Sequence, residues 1–323
     1  MSEFYDVGQE RKGTRDIRIL LLEVIEAVVF IGFSALVFRT VLFAPFAIPG
    51  YSMVGTLLPG DHVLANRIIY GIPTPLSGRH VVRFMHVKQN EVVVFRDPDL
   101  NDNYSIKRCV AVAGQTVYIE NKKLFIDSVE FDYPETIEKG NDLVIDGRFS
   151  PRDNLSSFRI PAKGDTIHLD SLKIFELDYI ANLIRQENPD KRLTKTADLM
   201  VNGKYANDLT FDDFRSDQRK PDGTLNFDAM NWLELKNVLN FLQAKDDSLK
   251  CAFRRTLYLD GKELKKYGVK TRPIFLMGDN WDESMDSRHT GYLSEERVIA
   301  RATLIFWSKD GANFRFRRLF LFI

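Results

Sequence analysis

The chain has 323 residues, room for one large domain or two ordinary ones, and its 44% apolar and 28% charged residues are ordinary for a folded protein. Lys plus Arg equals Asp plus Glu, 45 each, so no global charge points to nucleic acid, and no zinc spacing or rich basic tract does either. Cys109 and Cys251 are far apart and form no CxxC; they read as two free buried thiols, with a disulfide left open.

The first element is "IRILLLEVIEAVVFIGFSALVFRTVLF", from Ile17 to Phe43. Ile19 to Phe38 is 20 residues, about the length of a bilayer-crossing helix. Glu23 and Glu26 interrupt it near one end, where both can reach the interface, and leave an uncharged core of 12 residues, Ala27 to Phe38. A buried helix of a soluble protein is the alternative. A cleaved leader fits less well, because no small-x-small site follows the run directly. Arg11, Lys12, Arg15 and Arg18 precede the span and only Arg39 follows closely. The positive-inside rule then puts the N-terminus in the cytoplasm and everything after residue 43 outside.

Beyond the span the chain reads mainly as antiparallel strands. "HVLANRIIY" alternates, and "EVVVFRDP" (Glu91 to Pro98) is a strand ended by a turn signal. "YSIKRCVAVAGQTVYIENKKLFID" gives two strand-rich runs around Ala113-Gly114, then a hairpin turn at Asn121-Lys122. "TLYLDGKELKKYG", "PIFLMGDN" and "ERVIARATLIFWS" repeat the style near the C-terminus. Between them, "KIFELDYIANLIRQENPDKR" has apolar residues at 177, 180, 183 and 184, which is helical spacing. "DAMNWLELKNVLNFLQAK" predicts an amphipathic helix capped by Asp228, and "RSDQRKPDGT" a loop. The expected organisation is an N-terminal tail (1–18), a transmembrane helix (19–42), a β core in two parts (43–127 and 256–323), and an inserted α+β subdomain (128–255). The insert carries no interpretable motif and is expected to stand apart from the chemistry.

Among the histidines, His62, His80, His86, His168 and His289, none forms a close metal pair, so a metal site is not expected. No cofactor motif is present. Ser52 lies alone in the apolar stretch "FAPFAIPGYSMVGTLLPG", and a serine nucleophile needs a neighbour to take its proton. One candidate is Lys107 in "YSIKRCVAVAG". On a strand, 107, 109 and 111 share a face, so Lys107 points with Cys109 and Ala111 while Arg108 points away. Burial there would make the lysine neutral. The plain alternative is an edge-strand lysine that discourages aggregation. A triad of Ser52, His289 and Asp286 is compatible with the spacing as well. The polar block "MGDNWDESMDSRHTG" places Asp286 and Arg288 close enough to pair.

The order of a span, IPGYSM, IKRCVAVAG, MGDNWDESMDSR and ARA resembles bacterial type I signal peptidase, over roughly residues 17–127 and 256–323. The resemblance implies a membrane-anchored serine endopeptidase of the inner membrane. It would remove N-terminal signal peptides from exported preproteins after Ala-x-Ala-type sites, without a cofactor. Its partners would be those signal peptides and membrane lipid. By the same resemblance Ser52 is the nucleophile and Lys107 the general base. Ser284 hydrogen-bonds the lysine, and Asp286 and Arg288 form an ion pair beside the site. Ile48, Pro49, Met53 and Ile106 form the apolar substrate-pocket walls. The Ser52 N–H supplies one oxyanion donor. Gly50 stands where some members carry a serine as the second donor, so that donor stays unassigned. Gly55 replaces the family's usual proline and is expected to loosen its turn. Two rivals are a catalytically silent relative that binds exported chains, and a soluble self-cleaving Ser/Lys repressor protease.

Overall fold

The computed structural model describes residues 17–37, 42–74, 80–134, 137, 150–207, 219–222 and 224–323. The basic residues Arg11, Lys12, Arg15 and Arg39, and half of the loop read at 215–224, lie outside them. The first element, α1, spans Ile17–Val37, and its large apolar side chains from Leu20 to Phe33 are exposed. Among the described residues no helix is long and apolar enough to cross a membrane.

The remaining chain is mainly antiparallel β. Strands β1 (Phe43–Ala47), β2 (Asp61–Asn66), β3 (Gly71–Pro73), β4 (His80–Arg83), β5 (Val92–Arg96), β6 (Tyr104–Val112), β7 (Thr116–Glu120), β8 (Lys123–Ile126) and β9 (Val129–Glu130) come first. Then follow β10 (Leu155–Arg159), β11 (Thr166–His168), α2 (Ile174–Glu187), β12 (Leu193–Val201), β13 (Lys204–Tyr205) and α3 (Trp232–Lys245). The C-terminal part holds β14 (Cys251–Leu259), β15 (Lys262–Leu264), β16 (Lys266–Gly268) and β17 (Pro273–Met277). It ends with α4 (Ser287–Thr290), β18 (Leu293–Ser294), β19 (Val298–Asp310), β20 (Asn313–Phe314) and β21 (Leu321–Phe322).

The main sheet runs β1-β2-β19-β5-β6-β17-β18, with β20 and β21 paired to β19. It joins the first and last thirds of the chain, because β5 and β6 sit between β19 and β17, strands from the far end of the sequence. Residues 92–95 of β5 (VVVF) are all buried, as expected of a strand covered on both faces. The hairpin of β7 and β8 turns at Asn121 and Lys122, both left-handed at φ +48° and +59°. That is the type I′ geometry whose twist matches the flanking strands.

A bulge corrects one sequence expectation. Between β6 and β17 the register slips, so Ala111 pairs with Phe275 but Cys109 with Leu276. Val110 is the extra residue, and the period of two is lost there. Cys109 packs with Tyr70, Val93 and Leu276, whereas Ala111 belongs to the core around Val117, Tyr179 and Phe275.

The helix predicted around 177–184 is α2, and all four of those positions are buried or nearly so. Phe175, Asp178, Tyr179 and Ala181 are buried as well, because α2 is packed on more than one side. The N-cap of α3 is Asn231, not Asp228. Asn231 accepts from the N–H groups of Leu233 and Glu234, while Glu234 reaches back to the Asn231 N–H. Asp228 instead accepts from Ala197 N on β12. The boundary expected at 255/256 falls inside β14. Cys109 is buried but Cys251 is only half-buried, and both are free.

Candidate active site

Ser52 sits on a tight turn after β1. Val54 N donates to Tyr51 O, and Thr56 N and Leu57 N both donate to Met53 O. Gly55 takes φ +105°, a conformation open to glycine and closed to proline, so glycine builds this turn rather than loosening it. Below the turn, Ile48, Met53, Leu57 and Val63 form a buried cluster. Across it, Asn280 N donates to Ser52 O at 3.1 Å.

Lys107 comes from the middle of β6, opposite Val93 of β5, and the residue is only 8% exposed. It is therefore not an edge-strand lysine. Its Nζ lies 2.5 Å from Ser52 Oγ and donates to it. Burial pushes the Lys107 ammonium below its ordinary pKa, and the carboxylate of Asp286 opposes part of that shift. A neutral amine at this distance can accept the hydroxyl proton.

Two buried ion pairs flank this contact. Arg108 turns away from Lys107 and forms a two-point pair with Asp279, at 2.8 Å (Nε to Oδ1) and 2.7 Å (Nη2 to Oδ2). It also donates to Asn90 and Thr56. Sequence reasoning gave Arg108 no role; its position beside Lys107 and the GDN turn holding Asp279 were the available signals. The second pair is Asp286–Arg288, again two-pointed at 2.8 Å each, with both side chains fully buried. Burial alone would raise the Asp286 carboxyl, but the Arg288 charge and hydrogen bonds outweigh it and hold it well below the usual range. Asp286 also accepts from Gly278 N at 2.9 Å.

Ser284 is buried next to Gly278, and no hydrogen bond joins it to Lys107. A Cβ on Gly278 would lie 2.3 Å from Ser284 Oγ and 2.4 Å from Ser52 O, so only glycine lets these segments meet. His289 makes no hydrogen bond with Ser52, its Nδ1 is buried without a partner, and burial lowers its pKa to about 4. Gly50 is exposed, with open space where a side chain would project.

Ser52 and Lys107 open into a cleft of about 700 Å³, whose apolar lining includes Phe95, Leu276, Met285 and Leu293. Ile48, Pro49, Met53 and Ile106 are not among its lining. Ile48 and Met53 are core residues, Ile106 packs against that core, and Pro49 is exposed. Among the described residues no His, Cys, Asp or Glu cluster could hold a metal ion.

A hydroxyl bonded to a buried amine in a peptide-sized cleft is an arrangement able to perform acyl transfer. The sequence profile described as signal peptidase, peptidase S26 matches residues 21–307. The chain therefore belongs to that family and is a peptidase, a hydrolase. It is 26% identical to signal peptidase I of Buchnera aphidicola subsp. Schizaphis graminum over 277 residues, 85% of this chain and 72% of the relative. Over 97 residues it is 43% identical to signal peptidase I of Pseudomonas fluorescens, 29% of this chain and 34% of the relative. A solved signal peptidase I of Enterococcus faecalis superposes with a TM-score of 0.24 and 10% identity, covering 68% of this chain and 99% of that one, too loosely to define a shared fold.

Proposed function

We propose that this peptidase is a membrane-anchored serine endopeptidase that cleaves signal peptides from exported preproteins after small residues, with Ser52 as nucleophile and Lys107 as general base. The observation that carries the reading is the 2.5 Å contact between Lys107 Nζ and Ser52 Oγ inside the cleft. In the reactive state the neutral amine accepts the proton of Ser52 as Oγ attacks the scissile carbonyl. The Ser52 N–H donates to the developing oxyanion. The intermediate collapses to an ester on Ser52, and the ammonium of Lys107 returns the proton to the departing amine of the mature protein. Water, deprotonated by Lys107, then releases the signal peptide as a carboxylic acid.

An extended substrate would place alternate side chains on the apolar lining of the cleft, which favours small residues at two positions spaced by one. The anchor reading rests on the apolar run from Ile19 to Phe38, the basic residues before it, and the exposed apolar side chains of α1. It gives a single span with the N-terminus cytoplasmic and the catalytic part outside. Protease added to intact spheroplasts should digest residues beyond 60 and spare the N-terminus; the reverse pattern contradicts this topology. For the chemistry, the purified protein should cleave a preprotein ending in Ala-x-Ala before the mature sequence, and Ser52→Ala should not. Undiminished turnover by Ser52→Ala would refute the assignment.

A further inference from the structure

α4 has four residues, and its last carbonyls have no helical partner. Side chains from 128–255 take three of them in succession. Tyr179 Oη donates to Arg288 O at 2.5 Å, Trp232 Nε1 to His289 O at 3.1 Å, and Asn182 Nδ2 to Thr290 O. Gln186 continues the series, donating to Tyr292 O and accepting from Ser294 N, both at 2.9 Å. Gly291 lies so close to α2 that a Cβ there would sit 2.6 Å from Tyr179 Cα. The brace is itself anchored. Asp178 of α2 accepts from Arg255 Nη1 of β14 at 2.5 Å and from Trp232 N of α3 at 2.6 Å, all three groups being buried.

We infer that α2 and the start of α3 hold the segment bearing Asp286 in register with the Ser52–Lys107 pair, making Tyr179, Asn182 and Trp232 positioning residues for the reaction. The path is short. The carbonyls of 288–290 fix α4, the N-cap of α4 is Asp286, and Asp286 holds the N–H of Gly278. Gly278 packs against the carbonyl of Ser52. Asp286 is also the carboxylate with the largest pull on the Lys107 ammonium, ahead of Asp97 and Asp279, while Arg288 acts against it. A carbonyl that loses its donor inside the protein seeks another partner, so α4 shifts and Asp286 shifts with it. The segment from 128 to 255, which carries neither half of the dyad, thus sets its geometry and its field.

This inference rests on the Ser/Lys reading, and the test separates the two. Tyr179→Phe and Asn182→Leu each remove one donor without adding a charge, and Asn182 is only half-buried. Each variant is checked for folding by thermal melt and compared with wild type and Ser52→Ala for preprotein cleavage across pH. We expect folded Tyr179→Phe and Asn182→Leu to lose kcat by about tenfold with KM nearly unchanged, the scale of a sub-ångström misplacement. The acid limb of kcat/KM should move to lower pH, because Asp286 holds the ammonium less firmly. A fall in kcat with an unmoved acid limb would mean that Asp286 keeps its place relative to Lys107 and would overturn the inference, as would wild-type kinetics in both variants. If Tyr179→Phe does not fold, Asn182→Leu decides. Turnover by Ser52→Ala would instead defeat the reading beneath it.

Discussion

Lys107 and Arg108 are neighbours on one strand, both buried, and they meet opposite surroundings. Arg108 faces Asp279, Asn90 and Thr56, so every nitrogen of its guanidinium has a hydrogen-bond partner. Lys107 faces one hydroxyl, with its closest carboxylates acting through space rather than by contact. A guanidinium cannot shed its proton and must be paired when buried; an amine can shed it. The strand thus uses one cation to clamp the 278–280 turn and the other as a group that burial can neutralise. Replacing either should fail, but in different ways.

The largest effect is expected at Lys107. Lys107→Met should reduce kcat by a factor on the order of 10⁴ or more with the melt little changed, since the base is lost and no charge is left unpaired. Lys107→Arg should be as inactive, because arginine stays protonated. Activity in Lys107→Arg would break the contrast between the two cations.

Arg108→Met should act on folding instead. It leaves the Asp279 carboxylate buried without its partner, which costs about 3–5 kcal/mol by chemical denaturation. Arg108→Met combined with Asp279→Leu should recover most of that loss. A double variant no more stable than the single one would show that the pair is not the clamp.

His289 sharpens the pH side. Its folded pKa, about 4, lies below the ordinary 6.5, so the unfolded chain binds this proton more readily. Stability is full above about pH 6.5 and falls as pH drops to about 4, by on the order of 3 kcal/mol. His289→Gln should flatten that part of the profile, read as the difference between variant and wild-type denaturation midpoints. Parallel profiles would show that His289 is solvated. Lys107 has the same sign in a higher window: stability falls as pH drops from its unfolded value, ~10.4, through its lower folded one.

The smallest effect is expected at Gly50. A side chain there meets open space, so Gly50→Ser should change stability by less than about 0.5 kcal/mol. If its hydroxyl reaches the oxyanion, kcat should rise by less than about tenfold. A large loss of activity would mean that substrate backbone occupies this space.

Much of the β core was legible in the sequence, because alternation and turn residues report local geometry. The Asn121-Lys122 turn and α2 fall where their patterns place them. The bulge at Val110 was not legible, since it depends on how β17 pairs with β6. The α3 cap was misassigned because Asp228 and Asn231 are both good caps; the pairing of Asn231 with Glu234 selects between them. Ser52 and Lys107 stood out as polar residues in apolar runs, and the structure brings their side chains together. The Arg108–Asp279 pair spans 171 residues, and the α2 contacts to 288–290 span more than 100, so no local pattern announces them. The cleft lining was missed for the same reason. Phe95, Leu276 and Leu293 come from β5, β17 and β18, and only the strand order puts them in one cleft with Lys107.

The proposed mechanism requires Lys107 to be a neutral amine at working pH. Its side-chain pKa can be read directly by NMR on protein carrying isotope-labelled lysine, with Lys107→Met to assign the resonance, beside a kcat/KM profile of the same preparation. One value, below 10.4, is expected for both the Lys107 titration and the acid limb. A Lys107 that titrates near 10.4, or an acid limb that follows His289 and vanishes in His289→Gln, would contradict it.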